Sequence, residues 1–323
     1  MADTRMESLF PQNETPDLAA LVQPIDNAFP QIGDIAPLTL LGVGFGSVAV
    51  ATAGGVVVRV ARNAFAQAAH AREARLLPAL RQRLPIAIPE PRWRAEPMEG
   101  LPYGAIAYPR LPGTPLTLER LIEANAPTLA HDLAAFLLAL HRVPVEEALA
   151  LGAVSAGRRM LSNAEQSGAA LVILRAALAH NEFTTVEHWY AERRADETLA
   201  QYQPALLHGD LWYENILVDD EAAHIVGVVD FENAGIGDPA EDLAPLRYLG
   251  DKFPRLVSAE YLVMSDPTTP GEQLERRIQA CWEAREFLSV GFAALYDPAE
   301  LPDAIEKLRS EPFLSVAPQT TGG

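Results

Sequence analysis

The chain carries the sequence LHGDLWYENILV at residues 207–218, followed by IVGVVDFE at 225–232. The two runs of apolar and β-branched residues are separated by a polar turn, which predicts an antiparallel hairpin. The start of the first strand of such a hairpin lies about 5 Å from the end of the second. We therefore expect Asn215 to lie next to Asp230, with Asp210 in the preceding loop and within reach of both.

These side chains suit one kind of chemistry. Two carboxylates and an amide at the mouth of a hairpin supply the hard oxygen ligands that Mg²⁺ prefers. Phosphoryl transfer uses such a set: one aspartate orients the attacking hydroxyl, while an asparagine and a second aspartate hold metal on the phosphates. The alternative is that Asp210, Asp219 and Asp220 are solvated turn residues, as isolated loop aspartates usually are. The complete pattern H-G-D-x-x-x-x-N followed by D-F-E favours the catalytic interpretation.

Three motifs resemble those of the aminoglycoside phosphotransferase family, whose fold is protein-kinase-like: HGDLWYEN (208–215), DFE (230–232) and GDPAEDLA (237–244). The resemblance covers roughly residues 38–250 and includes YPRLPGTPL at 108–116. It implies an α+β, bilobal fold, with a small antiparallel β-rich N-terminal lobe and a larger, mainly helical C-terminal lobe.

The resemblance also implies a role for each of five residues. Asp210 is expected to be the catalytic aspartate, and Asn215 and Asp230 the magnesium ligands. His208 is expected to brace the catalytic loop, and Asp242 to support that loop without reacting.

The pattern changes from strands to helices near Pro112, which predicts two lobes. Residues 1–112 are expected to bind nucleotide, and residues 113–323 to carry the catalytic and acceptor-binding groups. Residues 1–20 are expected to form a loose leader or a short helix, and residues 314–323 to be disordered. The patterning predicts strands at 38–43, 47–52, 56–60 and 105–111, and helices at 64–84, 128–142, 157–179 and 186–201.

The charge of the chain limits its partners. The 323 residues include 43 acidic and 25 basic ones, which gives a formal charge of −18. Nucleic acids and anionic lipids both require a basic surface, so neither is an expected partner. Residues 1–113 hold ten arginines and ten acidic residues, so the excess lies entirely in the C-terminal part. A cleft lined by carboxylates attracts cations, so this lobe favours a cationic acceptor.

Other features predict where the protein works. Cys281 is the single cysteine, which fits a reducing compartment. The first residues lack the apolar run of a signal peptide, and no apolar stretch is long enough to cross a membrane. Serine-hydrolase, zinc-protease and thiol-redox motifs are absent from the sequence. We expect a cytoplasmic protein that is a monomer or a weak dimer.

A glycine cluster, GVGFGS at residues 42–47, lies between two predicted strands. It fails the dinucleotide-binding pattern, because Ser47 stands where the third glycine belongs and a strand follows. By itself the cluster is more typical of a glycine-rich hairpin than of a binding loop. Together with the downstream site it predicts a loop over nucleotide phosphates that includes Gly44, Gly46 and Ser47.

The N-terminal lobe departs from the kinase-like pattern, because no lysine precedes Lys252 and Arg59 occupies the place of the usual lysine. Glu73 lies on the apolar face of the predicted helix 64–84, at helical spacing from its leucines. A buried carboxylate needs a partner, and Arg59 is the natural one. Arginine can grip phosphate or carboxylate in a bidentate manner, so nucleotide binding remains feasible. The alternative is an outward-facing Arg59 and a solvated Glu73.

The remaining candidate site residues are identified by their positions in the predicted fold and its motifs. The family resemblance places the purine in the crease between the lobes, next to backbone groups of the segment that includes Tyr108 and Arg110. Trp212 and Tyr213 lie inside the catalytic loop and can face an acceptor or pack the loop. Glu232 follows the expected metal ligand and is a further candidate for acceptor contact, although a structural role is favoured slightly.

The sequence therefore predicts an enzyme that moves the γ-phosphate of ATP or GTP to a hydroxyl of a small cationic acceptor such as an aminoglycoside, with Mg²⁺ as cofactor. One alternative is a kinase of the same fold that acts on a macrolide, choline, homoserine or a sugar amine. Another is a catalytically inactive nucleotide-binding module, which the missing lysine suggests and the intact Asp210, Asn215 and Asp230 oppose.

Overall fold

The computed structural model describes residues 16–155, 161, 163–265 and 271–315. Over these ranges the chain forms a bilobal α+β fold, with an antiparallel sheet in the N-terminal lobe and mainly helices in the C-terminal lobe. The predicted fold class is confirmed. Among the described helices, none is both long and apolar enough to cross a lipid bilayer.

The N-terminal lobe is built on one sheet. Its strands are Thr39–Val43 (β1), Ser47–Ala51 (β2), Val56–Ala61 (β3), Trp93–Ala95 (β4) and Ala105–Pro109 (β5). They pair antiparallel in the order β1-β2-β3-β5-β4. The sequence did not predict β4, because the prolines around it hide the alternation of a strand. Strand β5 also ends two residues before the predicted position 111.

A helix at Leu18–Ala28 (α1) packs against this sheet. Leu21 and Ile25 are buried in the same hydrophobic cluster as Val48 of β2. Burial of these side chains fixes the helix. Residues 18–20, for which a loose leader or a short helix was expected, belong to it.

The helix that follows β3 spans Ala64–Leu80 (α2). Asn63 caps it, because its side-chain oxygen accepts a hydrogen bond from the Ala66 amide at 2.9 Å. The helix ends four residues before the predicted position 84. Its buried face carries Glu73 toward the sheet, as the apolar spacing predicted.

The C-terminal lobe consists mainly of helices. They are Ala126–His141 (α3), Val145–Ala150 (α4), Ala164–Ala177 (α5), His180–Ala195 (α6), Ala240–Leu243 (α7), Lys252–Met264 (α8), Gly271–Tyr296 (α9), Leu301–Arg309 (α10) and Pro312–Ser315 (α11). The largest core cluster includes buried residues of α3 and α8, and a second cluster joins α5, α6, α9 and α10.

Several predicted boundaries in this lobe are corrected. The helix expected at 157–179 begins only after Asn163, whose side chain accepts a hydrogen bond from the Gln166 amide and caps α5. Residues 157–160 and 162 lie outside the described part of the chain. The helix expected at 186–201 begins six residues sooner, because Glu182 caps the amide of Ala179.

The expected disorder at residues 314–323 is wrong at its start. Leu314 belongs to α11 and is buried in the second core cluster. Residues 316–323 lie outside the described part of the chain.

The predicted hairpin is confirmed and forms the base of the site. Ile216–Val218 (β9) pairs antiparallel with Ile225–Val228 (β10), with Ile216 opposite Val228. A hydrogen bond of 2.9 Å from the Val229 amide to the Asn215 carbonyl continues the ladder. A separate small sheet contains Val154–Ser155 (β7), Ala205–Leu207 (β8) and Gly235–Gly237 (β11).

The connection between the lobes is short. The chain leaves the N-terminal sheet at Pro109 and joins β9 through a two-residue strand, Thr114–Pro115 (β6). Gly113 lies between them with a φ of +94°, a conformation that favours glycine. A β-carbon there would lie 2.7 Å from the Val218 carbonyl oxygen and 2.6 Å from a methyl group of Val226. Glycine at this position lets the connection approach the hairpin.

We expect Gly113→Ala to destabilise the protein by roughly 2 kcal/mol, because it adds both backbone strain and a clash. Gly55→Ala is the matched control: its φ is +76°, but nothing lies within 4 Å of an added β-carbon. Urea unfolding of both variants measures the difference. Equal destabilisation would show that close packing at Gly113 is unimportant.

Candidate active site

The catalytic loop rests on a buried aspartate. Both oxygens of Asp242, in α7, accept backbone hydrogen bonds, from the amide of His208 at 2.9 Å and that of Gly209 at 2.8 Å. His141 of α3 donates a third hydrogen bond at 3.1 Å. Burial opposes the charged form, but the hydrogen bonds and nearby histidines hold the pKa of Asp242 below its ordinary value. Asp242 thus holds the loop just before Asp210.

His208 connects this loop to the hairpin. It is fully buried, and its Nε2 donates to the carbonyl of Val229 at 2.9 Å. Its Nδ1 accepts the amide of Asp210 at 3.3 Å. The ring also packs on Phe231, with centroids 4.5 Å apart. The imidazole therefore fixes the positions of the residues beside both Asp210 and Asp230.

The hairpin brings the two expected metal ligands together. The Asn215 side-chain amide donates to the Asp210 carbonyl at 3.0 Å, which links the ligand to the catalytic loop. Asp230 follows β10 with a φ of +67°, so the chain turns sharply at this residue. Among the described residues, no group of three or more carboxylate, histidine or cysteine side chains could hold a metal ion.

Arg59 of β3 lies opposite these ligands and is buried. Its Nη1 donates to both oxygens of Glu73, at 2.7 and 3.0 Å. Its Nη2 donates to Asp230 at 2.9 Å and to Glu232 at 2.6 Å. The predicted pairing with Glu73 is confirmed, and the alternative of an outward-facing arginine is wrong.

Burial shifts the pKa values of the groups in this cluster. Burial by itself would lower the pKa of Arg59, but its carboxylate partners, Glu73 foremost, raise that pKa above the ordinary arginine value. Burial raises the pKa of Glu73, and the attraction of Arg59 limits the rise. Glu232 behaves in the same way. Arg59 thus forms ion pairs with three carboxylates that come from both lobes.

The glycine cluster forms a tight turn between β1 and β2. The Gly44 amide donates to the Ser47 carbonyl at 2.9 Å. The Ser47 hydroxyl donates to Glu232 at 3.2 Å. A side chain at Gly46 would displace the Glu232 carboxylate, since an added β-carbon would lie 1.7 Å from its Oε1. The turn is therefore packed directly on the DFE segment.

The structure places the expected purine-side residues along the same cleft. Tyr108 is buried in β5, where burial raises the pKa of its hydroxyl above the ordinary value. Arg110 follows β5, and its amide donates to the Gly55 carbonyl at 2.9 Å. Both line the cleft, together with Gly44, Gly46 and Ser47.

Of the three candidates for acceptor contact, Glu232 lines the cleft, whereas Trp212 and Tyr213 are not among its lining residues. Trp212 stacks on Tyr213 and packs edge-on against Tyr248, with centroids 4.6 and 4.5 Å apart. Of the three aromatic residues, Tyr248 lines the cleft, so Trp212 and Tyr213 pack the catalytic loop. Glu232 is directed to the N-terminal lobe by its ion pair with Arg59. The neighbouring charge on β3, which lies far away in sequence, explains this placement.

The structure adds a residue that sequence reasoning missed. Arg285 of α9 donates to Asp210 Oδ1 at 2.9 Å, and both side chains are about one-third exposed in the cleft. Helical spacing places Arg285 on the same face as Cys281, Leu288 and Phe292, and all four line the cleft. An arginine on the apolar face of a helix was the available signal.

The cleft between the lobes is about 1380 Å³ in volume. A pocket for one drug-sized ligand occupies roughly 300–1,000 Å³, so this cleft has room for two small molecules side by side. The nucleotide-side residues line one part, and α9 and α10 line the other.

A kinase-like fold that brings Asp210, Asn215, Asp230 and a buried Arg59 to the interface between its lobes is typical of phosphotransferases. The chain matches the model of the phosphotransferase enzyme family over residues 38–281 and belongs to that family.

Two solved structures show how far the similarity extends. The wild-type aminoglycoside 2′-phosphotransferase-IIIa in complex with GDP has a TM-score of 0.78 and 21% identity, over 93% of this chain and 99% of that one. The apoenzyme of macrolide 2′-phosphotransferase MphH from Brachybacterium faecium has a TM-score of 0.66 and 26% identity, over 91% and 99% of the two chains.

A curated relative is similar over a shorter stretch. Viomycin phosphotransferase of Streptomyces vinaceus is 46% identical over 57 residues. This stretch is 17% of the present chain and 20% of the relative, so the match spans about a fifth of that relative's length.

The ion pair between Arg285 and Asp210 leads to a prediction. Arg285→Ala should lower kcat at least about tenfold, because the carboxylate loses the group that orients it. The nucleotide Kd should not change, and Arg285→Lys should restore part of the rate. Steady-state kinetics and nucleotide titration test this.

Arg276→Ala is the matched control for this prediction. Arg276 lies on the same helix, and its ion pair with Asp196 is on the surface. A normal kcat in Arg285→Ala would contradict the positioning role.

Proposed function

We propose that the protein transfers the γ-phosphoryl group of ATP or GTP to a hydroxyl of a small cationic acceptor, such as an aminoglycoside. The observation that carries the proposal is the convergence of Asp210, Asn215 and Asp230 at one end of a hairpin, opposite the buried Arg59. Such enzymes act mainly by positioning and electrostatic stabilisation, which this arrangement can supply.

Asp210 is the proposed catalytic aspartate. Its Oδ1 is held by Arg285, and the carboxylate lines the cleft. The acceptor hydroxyl would hydrogen-bond to this carboxylate, and its oxygen would attack the γ-phosphorus. The bond from the γ-phosphorus to the bridging oxygen breaks, the nucleoside diphosphate leaves, and Asp210 takes the hydroxyl proton.

Magnesium fits the donor set of this site. Asn215 uses its NH₂ group on the Asp210 carbonyl, which leaves its side-chain oxygen as a ligand. Asp230 supplies carboxylate oxygen and is nearly half exposed. When bound, the ion would neutralise charge on the phosphate oxygens. Arg59 can compete with it for Asp230, because the two carry charge of the same sign.

The donor would bind under the glycine turn. Arg59 would grip phosphate while Glu73 holds the guanidinium in place. Gly44, Gly46 and Ser47 would cover the phosphates, and the segment with Tyr108 and Arg110 would contact the purine. The GDP complexes of aminoglycoside 2′-phosphotransferase-IIIa make GTP a donor to test beside ATP.

The charge of the acceptor side supports a cationic acceptor. Five acidic residues line the cleft there, and two basic residues accompany them. The acidic ones are Glu214, Glu241, Asp297, Glu300 and Asp303, and the basic ones are Arg285 and Lys307. A macrolide is the second candidate, since a macrolide phosphotransferase is 26% identical and the same wall contains Leu288 and Phe292.

Choline, homoserine and sugar amines remain alternative acceptors, and an inactive nucleotide-binding module remains the alternative to an enzyme of this specificity. A cytoplasmic location, a monomeric or weakly dimeric state, and a role in antibiotic resistance stay predictions.

Asp210→Ala should lower turnover by roughly 100- to 10,000-fold, because it removes the group that orients and deprotonates the hydroxyl. Nucleotide binding should be preserved. The measurement is transfer of labelled phosphate from ATP and from GTP to kanamycin, erythromycin, choline, homoserine and glucosamine.

Asp220→Ala is the control, since Asp220 is an exposed aspartate in the turn of the same hairpin. Full turnover in Asp210→Ala would refute the assignment. Absence of transfer by the unmodified protein to any of these acceptors would favour the inactive module.

A further inference from the structure

The tip of the glycine turn touches the acceptor side of the cleft. The ring of Phe45 lies edge-on to Phe292 of α9, with centroids 5.2 Å apart, and 5.4 Å from Tyr296. Phe292 and Tyr296 are also in contact, at 5.2 Å. We call these three residues the aromatic clasp. All three line the cleft between the lobes.

The contact is supported from the N-terminal lobe. Arg62 donates to the Gly44 carbonyl at 2.6 Å, and Asn63 donates to the Phe45 carbonyl at 3.2 Å. These bonds hold the backbone on both sides of the tip at the start of α2. Phe45 is therefore carried by the element expected to cover the nucleotide phosphates, and its ring meets the other lobe.

The opposite side of the contact is the helix that carries Arg285, the partner of Asp210. Arg285, Leu288 and Phe292 follow one another at helical spacing along the cleft. Beyond Arg285, the wall is thus apolar and aromatic. Asp297 and Glu300 line the cleft just beyond Tyr296 and make its outer end acidic.

We propose that Phe45 is an acceptor-binding residue through which the nucleotide loop completes the acceptor site. The proposal rests on the proposed phosphotransferase function. The acceptor it defines presents an apolar or ring face to the clasp and its ammonium groups to the acidic end of the cleft. Nucleotide bound under the glycine turn would contact the same loop that carries Phe45, so donor and acceptor are expected to bind with positive cooperativity.

The test is Phe45→Ala, which removes the ring and leaves the glycines of the turn. Acceptor KM should rise about two- to tenfold, which is the change expected from the loss of one aromatic contact. The nucleotide Kd without acceptor should stay within about twofold. The probes are a non-hydrolysable ATP or GTP analogue, with kanamycin as polycation and erythromycin as amphipathic cation.

The decisive measurement is the cooperativity between nucleotide and acceptor binding, because loss of the fold alone would not abolish that cooperativity selectively. In the unmodified protein, saturating acceptor should tighten binding of the nucleotide analogue, and in Phe45→Ala this effect should disappear. Phe45→Tyr should restore it. The double variant with Phe292→Ala should be no worse than either single variant, because the rings act as a unit.

Val172→Ala controls for non-specific effects, since Val172 is 71% exposed on α5. Unchanged acceptor KM and unchanged cooperativity in an active Phe45→Ala variant would overturn the proposal while leaving the phosphotransferase function intact. Failure of the unmodified protein to bind either acceptor in the presence of nucleotide would overturn the acceptor class. Failure to transfer phosphate to any acceptor would instead be a failure of the proposed function.

Discussion

The guanidinium group of Arg59 is buried between the two lobes, where Glu73 shares it with Asp230 and Glu232. Glu73 and Glu232 are buried beside this cation, and its removal would leave them without that ion-pair partner, which costs several kcal/mol for a buried charge. Two of the carboxylates belong to the DFE segment of the C-terminal lobe, and the third belongs to α2. The ion cluster therefore joins β3 and α2 of the N-terminal lobe to the DFE segment beside the hairpin.

The rest of the site is arranged around this ion cluster. Asp242 and His208 fix the loop that presents Asp210, so that this carboxylate faces the cleft from a rigid base. Arg285 approaches the same carboxylate from α9, and Phe45 reaches α9 from the glycine turn. The two lobes thus meet at a charged contact around Arg59 and at an aromatic one on α9. Both contacts border one cleft, so the proposed coupling of donor and acceptor binding would act through them.

Much of this could be predicted from sequence where neighbours are close in the chain or linked by a regular element. The hairpin follows from its β-branched runs, and the Arg59–Glu73 pair follows from helical spacing and the need to compensate a buried carboxylate. The ion pair of Glu232 with Arg59 joins residues 173 positions apart, and no local pattern encodes it. Arg285 lies outside every motif. The ring contact between Trp212 and Tyr248 depends on the packing of the C-terminal lobe, which no local sequence pattern encodes.

The most direct test of this account removes the Arg59 cation without leaving Glu73 charged and unpaired. The measurement is calorimetric titration of Mg²⁺-ATP and Mg²⁺-GTP into the double variant Arg59→Met, Glu73→Gln, with Glu73→Gln alone as the control that keeps the arginine. We predict that the double variant binds nucleotide at least about tenfold more weakly than the control, the size of one charge-assisted contact. Equal affinity in the two variants, with both folded, would contradict the central role of Arg59.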